Sequence, residues 1–112
     1  MRVEERAIGD AIVMTLQGRL DPNTSGTLEK AFGKFVEQGK KSFVFAMSEL
    51  EYVSSAGLRS LLLAAKKMKA IGGKLALCQL TEQVQEVFDM SGFSSIFAIY
   101  GSEEEALQAV AV

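Results

Sequence analysis

The chain has 112 residues, 48% hydrophobic and 23% charged, which is the size and balance of one compact soluble domain filling residues 1–112, with no second domain expected. Twelve basic against fourteen acidic residues give a formal charge of −2, and no Lys/Arg stripe interleaves with aromatic residues, which argues against DNA or RNA as a partner. Lacking histidine and holding a single cysteine, the chain has no means of building a Ser-His-Asp or Cys-His nucleophile, a His-ligated metal or a CxxC site.

Met1-Arg2-Val3-Glu4-Glu5-Arg6 is charged from the start, unlike a signal peptide, and no apolar run approaches the roughly 20 residues of a spanning helix. A cytoplasmic location without membrane contact is expected. Val3 to Ile8 and Ala11 to Gln17 read as strands on either side of Gly9-Asp10, a hairpin turn. The stretch Gly18-Arg19-Leu20-Asp21-Pro22-Asn23-Thr24 breaks that pattern, since Pro22 pushes Asp21 towards extended backbone and Asn23 or Thr24 can cap a helix beginning next. From Ser25 to Gln38 the residues Leu28, Ala31, Phe32, Phe35 and Val36 recur at helical spacing, and Gly39 supplies the stop.

Ser42 to Met47 is a near-continuous apolar run, as expected of a strand covered on both faces in a parallel sheet. The next helix is expected from Ala56 to about Ile71, with Leu58, Leu61, Leu62, Ala65 and Met68 inward and Gly72-Gly73 at its end. Lys74 to Leu80 reads as a second buried strand adjacent to Ser42–Met47, and Cys78 within it reads as a small core residue rather than a reactive thiol. Thr81 caps a helix whose Val84, Val87 and Phe88 point inward and which Gly92 ends. A last strand is expected at Ile96 to Tyr100, and Ser102-Glu103-Glu104-Glu105 is a capping box opening a short terminal helix. Strands alternating with helices after a hairpin predict an α/β domain: a mixed, mostly parallel sheet of about five strands with about four helices.

The most informative stretch is Leu50-Glu51-Tyr52-Val53-Ser54-Ser55-Ala56-Gly57-Leu58-Arg59, where two hydroxyls stand between an apolar strand and an amphipathic helix. The first N–H groups of a helix have no intrahelical partner and carry the positive end of the macrodipole, so a serine there serves as an N-cap, and a phosphate on it would meet the same donors. No histidine is present to act as base and the glycine spacing differs from a G-x-S-x-G elbow, so a catalytic serine is not expected. Neither a GxxxxGK[ST] loop nor a GxGxxG turn occurs, and no cofactor or metal is expected. Loops at the carboxyl ends of parallel strands cluster, so Gly18–Asp21 is expected beside Ser55.

Gly18-x-Leu20-Asp21 before the first helix, Val44-Phe45 followed by Leu50 and Tyr52, the Ser54-Ser55-Ala56-Gly57-Leu58 junction and Gly72-Gly73-Lys74 stand in the order found in the small bacterial STAS domains. Over essentially its whole length the chain resembles the anti-sigma factor antagonists of that family. The resemblance implies a non-enzymatic binding switch in which Ser55 is phosphorylated by a GHKL-type anti-sigma factor kinase, the unmodified form holds that kinase and frees a sigma factor, and a PP2C-type phosphatase resets it. Because two strand-to-helix loops at one sheet end lie close together, Asp21, Asn23, Thr24, Ser54, Ser55, Gly57 and Arg59 are expected to form one contiguous polar patch that includes the partner-binding site. Ser54 stands where many members carry Asp, and Arg59 where many carry Gly, which makes the surroundings of Ser55 poorer by one negative charge and richer by one positive. The alternative implied by other family members is a constitutive scaffold, or a subunit of a transport or signalling complex, without phosphorylation.

Overall fold

The structure is a computed structural model and describes residues 1–111. Strands β1 (Arg2–Ile8) and β2 (Ala11–Leu20) form the opening hairpin, followed by helix α1 (Ser25–Glu37), β3 (Ser42–Val53), α2 (Ser55–Ala70), β4 (Lys74–Cys78) and α3 (Glu82–Ser91). A short 3-10 turn at Phe93–Ser95 leads into β5 (Ala98–Tyr100), and α4 (Glu103–Val110) closes the chain.

The five strands lie in sequence order, with β1 antiparallel to β2 and the rest parallel. Crossovers between parallel strands are right-handed, so a sheet that grows in one direction carries its connecting helices on one face. That face holds the larger core: Ile12, Met14 and Leu16 of β2 and Phe43, Phe45 and Met47 of β3 pack under Leu28 and Phe32 of α1, Leu61 of α2 and Phe88 of α3. Phe32 tilts against Phe43 at 4.7 Å and meets Phe45 edge-on at 5.8 Å, the aromatic geometries that add to simple burial. On the opposite face Ala11, Val13, Val44, Ala46, Ala76 and Cys78 are small, which lets α4 approach with Ala106 and Val110. β3 is the central strand with β4 beside it, as the apolar runs indicate.

Five differences from the sequence reading have physical causes. The inward stripe of α2 is Leu58, Ser60, Leu61, Ala64 and Met68, whereas Leu62 and Ala65 are half-buried. Ser60 and Ala64 face the groove that α2 forms with Leu28 and Phe32 of α1, where small side chains admit a neighbouring helix; apolarity alone favours Leu62 and Ala65. β2 and β3 run on together past Gln17 and Met47, to Leu20 and Val53, through two register shifts, one next to Gly18 at φ +95°. The 3-10 turn at Phe93–Ser95 delays β5 to Ala98, and β4 stops at Cys78 because Gln79 takes φ +58°. Thr24 occupies the cap position of α1, yet its hydroxyl makes no capping bond.

Cys78 is fully buried, and that burial, reinforced by Glu103 and opposed by Arg6, pushes its thiol up to about 11. The unfolded thiol ionises first, so this group leaves stability unchanged below its ordinary value of 9.0 and lowers it as pH rises from there towards about 11. Iodoacetamide at pH 8 is expected to label Cys78 only in denaturant; prompt alkylation of the folded protein, read by intact mass, would contradict its place in the core.

Candidate functional site

The paired ends of β2 and β3 build the platform of the site. Arg19 stands opposite Tyr52 and Leu20 opposite Val53, so the two strands deliver their following loops to one place. The Ser54 N–H donates to the Leu20 carbonyl at 2.9 Å, tying the junction before α2 directly to the loop before α1. Gly57 reinforces the tie. A Cβ on it would lie 2.6 Å from the Leu20 carbonyl oxygen and 2.9 Å from the Leu20 side chain, so only glycine lets α2 start this close to β2.

Ser54 is the N-cap of α2, with extended backbone (φ −86°, ψ 174°) and a side chain that accepts from the Gly57 N–H at 3.1 Å. Ser55 is therefore the first residue of the helix rather than its cap. It is exposed, and its hydroxyl has no protein partner among the described residues. That division of labour leaves Ser55 free for a partner while Ser54 holds the helix. The N–H groups of Ser55 and Ala56 precede the first intrahelical bond of α2 and remain available to an anion. No acidic residue sits in the first turn to occupy them.

The facing loop is rigidly organised around Asp21. Its carboxylate accepts from the Asn23 N–H at 2.9 Å, and its carbonyl accepts from the N–H groups of Thr24 at 3.1 Å and Ser25 at 2.9 Å. The Thr24 hydroxyl accepts from the Asp21 N–H at 2.9 Å and donates to the Arg19 carbonyl at 2.7 Å. The preference of Asx turns for local bonds explains this arrangement and why Thr24 is lost as a cap.

Of the seven residues expected in one patch, Asn23, Ser55 and Arg59 are exposed; Asp21, Thr24 and Ser54 are half-buried and hold the loops in place. Gly57 is buried and departs from the expected surface patch: its role is the close approach to Leu20. Arg59 lies four residues after Ser55, one helical turn along the same side, and makes no ion pair among the described residues.

The structure adds Arg19 and Tyr52, which the sequence reading left out of the patch. The Arg19 guanidinium sits 4.2 Å from the centre of the Tyr52 ring, and Arg19 Nε is 3.7 Å from an Asp21 carboxylate oxygen. Tyr52 is 40% exposed, a large aromatic held open beside Ser55. Its only signal in the sequence is position: it stands on an exposed step of β3, three residues before the serine.

Residues 2–106 match the STAS domain. The chain belongs to the STAS domain family. This STAS domain is 38% identical over 109 residues to a Bordetella bronchiseptica protein named as the anti-sigma factor antagonist BtrV, covering 97% of this chain and 94% of that one. Its fold overlays a Thermotoga maritima crystal structure described as an anti-sigma factor antagonist with a TM-score of 0.90, at 22% identity and with 96% and 93% of the two chains covered. It also overlays the anti-sigma factor antagonist SpoIIAA in its unphosphorylated form, with a TM-score of 0.82, 22% identity and 97% and 96% coverage. Against the phosphorylated form of the Bacillus protein SpoIIAA the TM-score is 0.71, at 20% identity, with 98% and 100% covered. Among the described residues no helix is long and apolar enough to cross a membrane, and no three His, Cys, Asp or Glu side chains are grouped to hold a metal.

Proposed function

We propose that this STAS domain is an anti-sigma factor antagonist whose binding state is written on Ser55. The unmodified form holds a GHKL-type anti-sigma factor kinase and thereby frees a sigma factor; phosphorylation of Ser55 by that kinase ends the complex, and a PP2C-type phosphatase restores it. The observation that carries this reading is the exposed, uncommitted hydroxyl of Ser55 at the mouth of α2, released from capping by Ser54. The 38% identity to a protein named as an anti-sigma factor antagonist supports the same class.

A phosphate on Ser55 brings about −1.5 to −2 charges to the start of α2, where backbone donors and the macrodipole already favour an anion. Arg59, one turn on, is an exposed cation without an ion pair among the described residues, and Arg19, exposed at the end of β2, adds a second positive charge to this end of the sheet. The fold can therefore accept the modification with little rearrangement, and what changes is the surface that a partner must desolvate. Ser54 in place of an acidic residue removes one negative charge beside the phosphoacceptor, which lowers the repulsion a dianion meets there.

Calorimetric titration of the unmodified protein into a GHKL-type anti-sigma factor kinase from its native cell tests the binding half of the proposal. A stoichiometric complex is expected, and Arg59→Glu is expected to weaken it by about tenfold, or 1.4 kcal/mol, without lowering the unfolding midpoint. No heat of binding with the wild-type chain would overturn the antagonist reading, and an unchanged affinity for Arg59→Glu would remove Arg59 from the contact.

A further inference from the structure

The second concentration of charge lies at the opposite end of the sheet from Ser55. Six of the twelve basic residues, Lys40, Lys41, Lys66, Lys67, Lys69 and Lys74, fall at the start of β3, the end of α2 and the start of β4. Ser42 pairs with Lys74, and the Lys74 N–H donates to the Lys41 carbonyl at 2.7 Å, so these segments meet in space. None of the six makes an ion pair among the described residues. Lys67 and Lys69 also complement the carboxyl end of α2, but Lys66 and Lys74 have no such role.

Beside this cluster an open groove of about 690 Å³ runs between α2, the edge formed by β4 and β5, and the end of α4. Lys66, Lys69 and Lys74 line it together with apolar Leu62, Leu75 and Ile96, and no acidic side chain does. Ile96 is 54% exposed, far from the usual state of an isoleucine. β5 pairs with β4 only from Ala76 to Cys78, so Lys74 and Leu75 continue without a strand on that side. An apolar floor, three unpaired ammonium groups and a stretch of open sheet edge are complementary to a chain segment that alternates carboxylates with apolar side chains.

We infer that this groove docks an acidic, amphipathic segment of a partner protein, at a surface separate from Ser55. Carboxylates of the segment meet Lys66, Lys69 and Lys74, none of which is ion-paired among the described residues, and an apolar side chain covers Ile96. Nucleic acid fits less well, since of the two aromatics in the groove Phe97 is buried and Tyr100 is only half-exposed, which leaves no open stacking platform among the lysines.

The experiment is an NMR titration of the whole ¹⁵N-labelled protein with a synthetic peptide of alternating Glu and Leu. Shifts are expected at Leu75, Ile96 and the Lys66–Lys74 segment and not at Ser55, with no response to a peptide of alternating Lys and Leu. The variant K66E/K69E/K74E is expected to weaken binding by about tenfold or more through like-charge repulsion. Raising salt from about 0.1 M to about 1 M shortens the screening length from about 10 Å to about 3 Å and should weaken it several-fold. K66Q/K69Q/K74Q, which adds no repulsion to the fold, is expected to show the same loss in smaller degree, and Ile96→Ser to lower affinity without changing the salt response. Shifts centred on Ser55, equal affinity in both lysine variants, or binding of phosphatidylserine vesicles or duplex DNA in preference to the acidic peptide would overturn the inference.

Discussion

Glutamate at Ser55 is expected to weaken binding to the anti-sigma factor kinase by about a hundredfold or more, whereas Ser55→Ala is expected to leave it nearly unchanged. A partner covering the start of α2 has to strip water from whatever occupies residue 55, and leaving a carboxylate there without a partner costs about 2–3 kcal/mol or more. Glutamate carries one charge against the near-dianion of phosphoserine, so the phosphorylated protein is expected to lose still more affinity. The alanine variant keeps its fold because Ser54, not Ser55, caps α2. Ser55→Ala should thus shift stability by no more than about 0.5 kcal/mol, against about 1 kcal/mol for Ser54→Ala. Parallel calorimetric titrations of the two Ser55 variants and the wild type check the contrast, and equal affinity for all three would favour a scaffold whose surface ignores the state of Ser55.

Leu61→Ala is expected to be the most destabilising leucine-to-alanine change in α2, at about 2–5 kcal/mol. Leu61 is fully enclosed between α2 and the sheet, in one cluster with Phe43, Phe45 and Leu77, and its removal leaves a void that packed neighbours cannot fill. Leu62, the neighbour that hydropathy equally recommends, is half-buried along the open groove and should lose clearly less. Urea denaturation midpoints at constant slope give both values; a larger loss at Leu62 than at Leu61 would contradict the orientation of α2.

The difference between Leu61 and Leu62 shows where sequence reasoning reaches its limit. Periodicity identifies a helix and its broad apolar side, because that pattern follows from one helix meeting one sheet. It does not show that α1 also packs against α2, and this second neighbour turns the stripe towards Ser60 and Ala64. The same division applies to the strands. Ser42–Met47 is legible as a central strand because burial on both faces demands unbroken apolar residues, while the continuation Ser48–Val53 is half polar and exists because β2 bends along with it through irregular register. Local signals cannot reveal such a pairing.

At the site, the position of Ser55 was legible and its environment only partly so. Capping preferences point to the Ser54-Ser55 pair but not to which member caps, a choice settled by the Ser54 bond to Leu20 and the bond from Gly57. Gly57 reads as an open surface residue in a motif, yet its conformation is ordinary and its role is contact with a carbonyl from a distant strand. Arg19 and Tyr52 come together by register across two strands, which no spacing along the chain expresses.

Phosphosite mapping tests the central claim most directly. The wild type, Ser54→Ala and Ser55→Ala proteins are each incubated with a GHKL-type anti-sigma factor kinase from the native cell and ATP, digested, and read by mass spectrometry. One phosphate on Ser55 is expected in the wild type and in Ser54→Ala, with none in Ser55→Ala, since Ser54 spends its side chain on the Gly57 N–H and Ser60 is buried. Phosphate on Ser54 that persists in Ser55→Ala, or no phosphate on a wild-type chain that nonetheless binds the kinase, would contradict a switch written on Ser55.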